Sequence, residues 1–481
     1  MAETHNDPGL GGFEIIVLII ATLFLLYYFL PTGFLPENFD AALLDIYKIF
    51  LNVLPILSTA VLGYMAWRMW VHYIRQDFIS GIEYNLLEII PPREVTRNPL
   101  TMELFITNAL YHFSNKGGRE EYWQGAVWFW FSLEIVSIEG QVHFYIRTPS
   151  RIRGLIETQM YAQYPQAQVK LVEDYTLAVD EFSPKSAWKG WGCEFRLRNP
   201  EAFPIKTYQD YGLNEDPDEE YKIDPISPVI EFFGSLGKGE QAWLQIVITP
   251  SKKMWKTKGT WFGKHDWVEE ARRQLKETLD PYARQHPRRF EEGLTIEYRT
   301  PDFLKNVAKA MASKPEKLGF ETGIRAMYVA KKEAWSMNNR RNIRLIFRQY
   351  AKPDCNELLR FNSTQGDALG SSIFPLSAKQ VEHLANRMLH EYRERAFYHL
   401  PMRHHLFSEH SFAKIIPFRL LEIGVMFIVK KFFLPYFHHQ TYVLNTEEIA
   451  TLWHFPGQIL KTPTLERIES KEASPPSNLP V

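Results

Sequence analysis

Three arginines form the clearest charged array in this sequence. Arg341, Arg344 and Arg348 fall three and four apart in SMNNRRNIRLIFRQY, a spacing that places them on one face of a helix. Such a face can meet phosphates, where arginine contacts would supply salt-dependent affinity for nucleic acid. It can equally pair with acids on a partner protein or simply lie in solvent, which is the commoner outcome. Histidines cluster as His404, His405 and His410, and again as His438 and His439, but no H-E-x-x-H or C-x-x-C accompanies them. Without zinc-type spacing they read as surface or interfacial residues, and no metal site is expected.

Phosphate-cradling loops need G-x-x-x-x-G-K-[ST], in which glycine amides surround phosphate while Lys and the hydroxyl hold charge and magnesium. GTWFGKH, from Gly259 to His265, is one residue short between its glycines and has His where the hydroxyl belongs. GSLGKGE, from Gly234 to Glu240, has Gly there. No G-x-S-x-G elbow occurs, and neither cysteine stands in a nucleophile signature. The sequence therefore offers no catalytic residue and no cofactor site, and the chain is not expected to be an enzyme.

The chain has 481 residues and a mass of 56.4 kDa, enough for about three folded units at roughly 150 residues each. With 55 Lys+Arg against 56 Asp+Glu, the net charge is -1, so no global field recruits nucleic acid or anionic lipid. Any such contact must be a local patch. Two cysteines, Cys193 and Cys355, are too few for a disulfide framework. Both fall in segments that read as strands, which suggests structural thiols in a reducing compartment.

Elements that could position a partner face begin with two apolar runs. Beyond a short N-terminal tail, residues 1–12, lies an anchor expected over residues 13–75. Ile15 to Leu35 carries no charge and is long enough to cross roughly 30 Å of hydrocarbon as a helix. The acidic flank before it argues against a cleaved signal peptide. A second uncharged run, Ile49 to Trp67, ends in Trp67, Arg68, Trp70, His72, Tyr73 and Arg75. That series is expected to be a membrane-interface belt, with aromatic rings at the headgroups and arginines just beyond. The expectation is a multi-pass protein of the inner, cytoplasmic membrane, with both chain ends and the soluble body in the cytoplasm.

After the anchor, the pattern over residues 80–180 reads β-α-β-β-α-β. Its elements are a strand in GIEYNLLEII, a helix from Leu100 to Phe113, strands Ala126 to Ile138 and Gln141 to Pro149 joined at Glu139-Gly140, the helix RIRGLIETQMYAQY, and the strand AQVKLVE. This is the ferredoxin-like, split βαβ order. The same grammar is expected again over residues 181–365, with a basic, helix-rich insertion from about Trp267 to Phe290. A helical segment follows at 371–440, with Val381, Leu384, Met388 and Tyr392 on one stripe. Its stretch at 412–437 is interrupted by Arg419, Glu422, Lys430 and Lys431, so it reads as a buried or partner-groove helix, or as one lying at the membrane interface. A Ser/Pro-rich extension and linker closes the chain at 441–481. The expected fold class is thus α+β: two N-terminal transmembrane helices, two ferredoxin-like units and a C-terminal helical segment.

Long phrases in this body resemble a known family. LEIIPPREVTRNPLTMELFITNAL, the hairpin and helix from FSLEIVSIEGQVHFYIRTP onward, DPISPVIEFFGSLGKGEQAWLQIVITP, IRAMYVAKKEAW and YVLNTEEIATLWHFPGQILKTPTLERIESKEASPPSNLP look like the N-terminal region of membrane-anchored, conjugation-type (type IV secretion) ATPases of bacteria. The likeness runs from about Glu83 to the end. In that family the corresponding tail leads into a HerA/FtsK-like motor domain, whereas this sequence stops at Val481. The resemblance implies a membrane-anchored, non-catalytic scaffold that positions a separately encoded P-loop ATPase and assembles with further copies of itself. The alternative is a membrane-tethered nucleic-acid-binding module using the Arg341 face. The resemblance transfers no catalytic position.

Overall fold

The computed structural model describes residues 69–92, 97–111, 117–214, 223–257, 263–286, 295–298, 301–365, 376–399 and 439–457, together with a few single positions. The chain divides into two units: Met1–Gly81 with Lys116–Val127 and His399–His438, and Ile82–Asn115 with Trp128–Tyr398 and His439–Val481.

In the first unit a helix runs through residues 69–80. Among the described residues no helix is long and apolar enough to cross a membrane, which overturns the expected pair of transmembrane helices and the multi-pass membrane placement. The first expected span, Ile15 to Leu35, and most of the second, Ile49 to Trp67, lie outside the described residues, as does Arg68. The rest of the expected interface belt has protein partners. The Trp67 ring sits 6.0 Å from Tyr122 and 6.4 Å from Trp123, and Trp70 lies 6.4 Å from both Tyr73 and Trp123. Arg75 Nη2 reaches Glu121 Oε1 at 3.2 Å. The rings that suggested lipid headgroups instead gather around the short helix Gly118–Trp123, because Trp and Tyr serve an aromatic protein contact as readily as a bilayer interface.

The second unit begins with strand β1, Tyr84–Ile90, and helix α1, Pro99–Phe105, which continues as a π-turn over Ile106–Leu110. Strands β2 (Phe131–Ile138) and β3 (Gln141–Pro149) form a hairpin. Glu139 (φ 54°) and Gly140 (φ 88°) both take the left-handed conformation there, as a two-residue turn of this hand demands. Helix α2 (Arg153–Gln163) and strand β4 (Gln168–Val172) complete this half.

The second half repeats the connectivity. Strand β5 (Trp188–Leu197), helix α3 (Ser227–Gly234) and strand β6 (Glu240–Pro250) come first. An insertion follows: hairpin β7 (Met254–Lys256) and β8 (Lys264–Asp266), helix α4 (Trp267–Leu279), hairpin β9 (Ala283–His286) and β10 (Thr295–Tyr298), and helix α5 (Asp302–Ser313). Strand β11 (Gly319–Lys331), the short helix α6 (Met337–Asn342) and strand β12 (Leu358–Phe361) close the repeat. Helix α7 spans Ala378–Glu394, and strand β13 (Tyr442–Asn445) leads into helix α8 (Thr446–Leu452).

The expected fold class is also corrected in how the halves combine. They do not form separate sheets. All the large strands join one nine-stranded sheet in the order β12-β5-β11-β6-β2-β3-β1-β4, with β13 paired to β11. The seam is the antiparallel pairing of β6 with β2, from Phe131↔Ile248 to Ile138↔Gln241. Edge strands are exposed templates for pairing, so fusing two of them removes two free edges. The C-terminal region, expected as an extension and linker, supplies β13 and the buried helix α8.

One sheet face carries the apolar core. Cys193, Phe195, Ile324, Ala326, Leu244, Ile246, Leu133, Ile135, Phe144 and Ile146 alternate onto it and pack with residues of α1, α2, α3 and α8. Cys355 is buried but lies in a turn instead of the expected strand. The residues between these apolar positions point to the opposite face, which α7 covers.

Candidate functional site

The face under α7 is the chemically richest part of the chain. Register alone places Glu194 opposite Arg325, Arg325 opposite Gln245, Gln245 opposite Glu134, Glu134 opposite Tyr145 and Tyr145 opposite Glu88. Cross-strand partners share a face, so a polar row crosses five strand boundaries at one level. Glu134, Gln245 and Arg325 are fully buried, and Glu194 is nearly so.

Helix α7 closes over this row. It begins at Ser377, whose hydroxyl accepts from Gln380 N at 3.3 Å while the Gln380 side chain accepts from Ser377 N at 2.9 Å, a reciprocal cap. It ends at Arg395, which is left-handed at φ 52°, a position that usually takes Gly or Asn. The reason for an arginine is its side chain. Arg395 Nε donates to Glu134 Oε1 at 2.9 Å and Nη2 to Glu134 Oε2 at 3.2 Å, while Nη1 pairs with Asp174. Ser132 Oγ, Gln245 Nε2 and Tyr175 OH also donate to the Glu134 carboxylate, at 2.6, 3.1 and 2.8 Å. Burial and the Glu134 carboxylate push the Tyr175 hydroxyl well up, which keeps it a donor. Burial alone would raise Asp174, but Arg395 and Thr176 hold its carboxyl below the usual range.

A second knot lies toward β5. Arg325 Nη2 sits 2.7 Å from Glu194 Oε1 and donates to Ala396 O at 3.2 Å, and its guanidinium lies 4.2 Å over the Phe397 ring. Arg387 Nε meets Glu391 Oε1 at 2.9 Å, and Asn362 Nδ2 donates to Glu194 Oε2 at 2.7 Å. His439 bridges the two acids, with Nδ1 2.7 Å from Glu194 and Nε2 3.3 Å from Glu391. Burial works against the charged imidazole, but Glu194 and Glu391 outweigh it and raise His439 to about 9. The same imidazolium and Arg325 hold Glu194 low against the effect of burial.

Glu194, Glu391 and His439 place three ligand atoms within 4.8 Å of one another. Their chemistry favours a proton over a metal. A metal needs a neutral imidazole, whereas this histidine is held protonated, and Arg325 and Arg387 already supply cationic charge to the two carboxylates. Access is equally restrictive, since the side chains of Arg325, Glu194, Glu391, Arg395, Glu134 and His439 are 0–4% exposed. A cleft of about 280 Å³ lies elsewhere, in the insertion between Leu275 of α4 and Met311 of α5. What the buried row does is fasten α7 and the strap after it to the sheet. Tyr398 OH finishes the fastening, its single proton shared between Val247 O at 2.8 Å and Glu321 O at 2.5 Å.

A third set of ion pairs ties in the C-terminal elements. Lys314 Nζ meets Glu448 Oε2 at 2.9 Å with both side chains fully enclosed, and Lys317 Nζ bridges Glu103 at 2.8 Å and Glu447 at 2.9 Å.

The residues singled out by sequence fall elsewhere. The expected long helix over 336–350 breaks into α6 and short turns at Ile343–Leu345 and Arg348–Tyr350, because Ile343, Ile346, Phe347 and Tyr350 are all drawn into the core. Arg341, Arg344 and Arg348 remain exposed. Arg341 and Arg344 stand with Arg340 and Arg360, whose combined charge, after burial, lowers the Arg340 guanidinium from its ordinary value. Arg348 opens a separate turn. His404, His405, His410 and His438 lie outside the described residues, as does the 412–437 stretch except Phe437. His439, read as a surface or interfacial residue, is at the buried centre of the second knot. Charged residues at alternating strand positions, Glu134, Glu194 and Arg325, were the available signal for this face, since an outward-facing row and a covered one have the same pattern.

A family profile described as "Domain of unknown function (DUF8128)" matches residues 129–466, a stretch that takes in the seam, both knots under α7, α7 itself and all of the third ion-pair set except Glu103. No curated protein matches the chain.

Proposed function

The chain belongs to the DUF8128 family, and from that premise we propose that it is a non-catalytic platform, an accessory subunit of a type IV secretion or conjugation-like translocation system that holds a separately encoded P-loop ATPase. The observation that carries this reading is the use made of the clustered ionisable groups. Glu134, Asp174, Glu194, Arg325, Glu391, Arg395 and His439 are committed to fastening α7 onto the fused sheet. Buried ion pairs of this kind hold the elements they join in one arrangement, although Arg325 Nη1 and Gln245 Oε1 have no hydrogen-bond partner of their own among the described residues. A rigid surface is what a scaffold needs and what a substrate-binding cleft would interrupt. The likeness of the body to the region preceding a motor domain supplies the partner class.

The test is affinity purification of the full chain from its native host, followed by identification of what accompanies it and an ATPase assay of the chain alone. Recovery of a P-loop ATPase, with no hydrolysis by the chain itself, is the expected result. Hydrolysis by the chain alone, or reproducible purification with no motor, would overturn the reading.

A further inference from the structure

Strand β12 is the end of the large sheet and, among the described residues, pairs only with β5. Arg360 lies opposite Phe195 in that pairing, and Phe347 packs on Phe195 at 4.6 Å between ring centroids. The 336–350 segment is thereby brought alongside the β12 rim on the Arg360 side. Arg340 donates to Gln365 Oε1 at 2.5 Å and stands within the fields of Arg344, Arg341 and Arg360. Among the described residues no carboxylate pairs with Arg341, Arg344 or Arg360. Leu345 and Met337, beside these arginines in sequence, are 52% and 46% exposed. A strand edge without a partner among the described residues, four guanidiniums and two exposed aliphatic side chains thus occur together.

We propose that this rim docks an extended acidic segment of a partner protein, which adds to the edge of β12 as a further strand and sets Asp or Glu side chains, at alternate positions, against Arg340, Arg341, Arg344 and Arg360. Main-chain hydrogen bonds give such an addition its affinity, and the alternating side chains give it specificity. The period of two follows from strand geometry, since only every second side chain of the added strand faces the arginines. Nucleic acid fits less well. Single strands are held by aromatic platforms between the charges, whereas the neighbours here are Leu345 and Met337. Phe361, one residue from Arg360, takes the opposite sheet face and lies 4.9 Å beneath Arg196. The inference rests on the platform reading only for the identity of the partner, because the probe below contains no ATPase.

Fluorescence anisotropy of a short labelled peptide with glutamate at alternate positions and valine between them, titrated with the full chain, tests it. Saturable binding is expected, weakened by salt and reduced at least about tenfold by Arg344→Glu or Arg360→Glu. Arg341→Glu, at an exposed position, provides a third variant should Arg360→Glu disturb the strand. Methylating alternate backbone amides of the peptide should abolish binding while leaving its charge unchanged. The proposal fails if the peptide does not bind, if the methylated peptide binds as tightly, or if the charge reversals leave binding intact. It also fails if single-stranded DNA of equal charge binds in place of the peptide and is lost with Arg344→Glu. Absence of peptide binding would leave Arg360 as a charge that merely guards a sheet edge against self-association.

Discussion

Arg395 Nε lies 2.9 Å from Glu134 Oε1 with neither side chain exposed to solvent, so the end of α7 is bonded to the strand that also forms the seam between the two halves of the sheet. Fastening and fusion therefore depend on the same residue. Glu134 has Gln245, its neighbour across the seam, as a donor at 3.1 Å, and Gln245 also donates to the Tyr392 carbonyl of α7 at 3.0 Å.

Removing one member of that pair should leave a buried charge uncompensated. Glu134→Gln or Arg395→Met is expected to cost about 3–5 kcal/mol, read as a fall in the urea midpoint. Glu134→Leu combined with Arg395→Met should recover part of the loss. A single variant as stable as the parent would show that the pair does not fasten α7.

His439 gives stability a defined pH dependence. Its folded value of about 9 lies above the ordinary 6.5, so its contribution is fully present below 6.5 and is lost as pH rises through 9. Urea midpoints should decline across that window, and His439→Phe should flatten the alkaline arm. On the acid side, Asp174 and Glu194 have depressed folded values, so their contributions are lost as pH falls through those values. A parent chain equally stable at both ends of the alkaline window would refute the role given to His439.

Gly323 lies directly against the Phe397 ring of the strap. A Cβ there would come within 2.5 Å of the Phe397 ring. Because the backbone is not in the left-handed region, any cost of Gly323→Ala is a packing cost. Overpacking of roughly 1–3 kcal/mol is expected, partly relieved by Phe397→Leu in the double variant. Additive losses in a double-mutant cycle would mean that the two residues do not meet.

The C-terminal elements should be integral to stability. Trp453 is fully buried and packs on Phe144 at 5.9 Å between ring centroids. Trp453→Ala is expected to cost about 3–5 kcal/mol, with a matching rise in proteolytic sensitivity of the C-terminal region. A variant that unfolds like the parent would place Trp453 outside the core.

Strands β1 to β6, β11 and β12 and helices α1 to α3 were legible from sequence, because period-two alternation, period-three-to-four stripes and a Glu-Gly turn are local properties of the chain. The hairpins β7–β8 and β9–β10 and helix α5 of the insertion were not. The stripe of α7 was legible too, where Leu384, Met388 and Tyr392 are buried. Its buried Glu391 was not, since a carboxylate beside an apolar stripe looks solvated until its partners Arg387 and His439 are known. The aromatic and basic residues from Trp67 to Arg75 misled for a related reason, as the same side chains suit a headgroup layer and the Tyr122, Trp123 and Glu121 surface that receives them.

Local sequence thus determined most strands of the large sheet, the helices α1, α2, α3 and α7, and the Glu139-Gly140 turn. Tertiary structure alone decided that β6 pairs with β2, that the polar face is covered, and that Arg340, Arg341, Arg344 and Arg360 converge at one rim. The physical reason is range. Backbone propensity and side-chain period act over a few neighbouring residues, whereas an ion pair such as Arg395 with Glu134, 261 positions apart, exists only once the whole chain has closed around it.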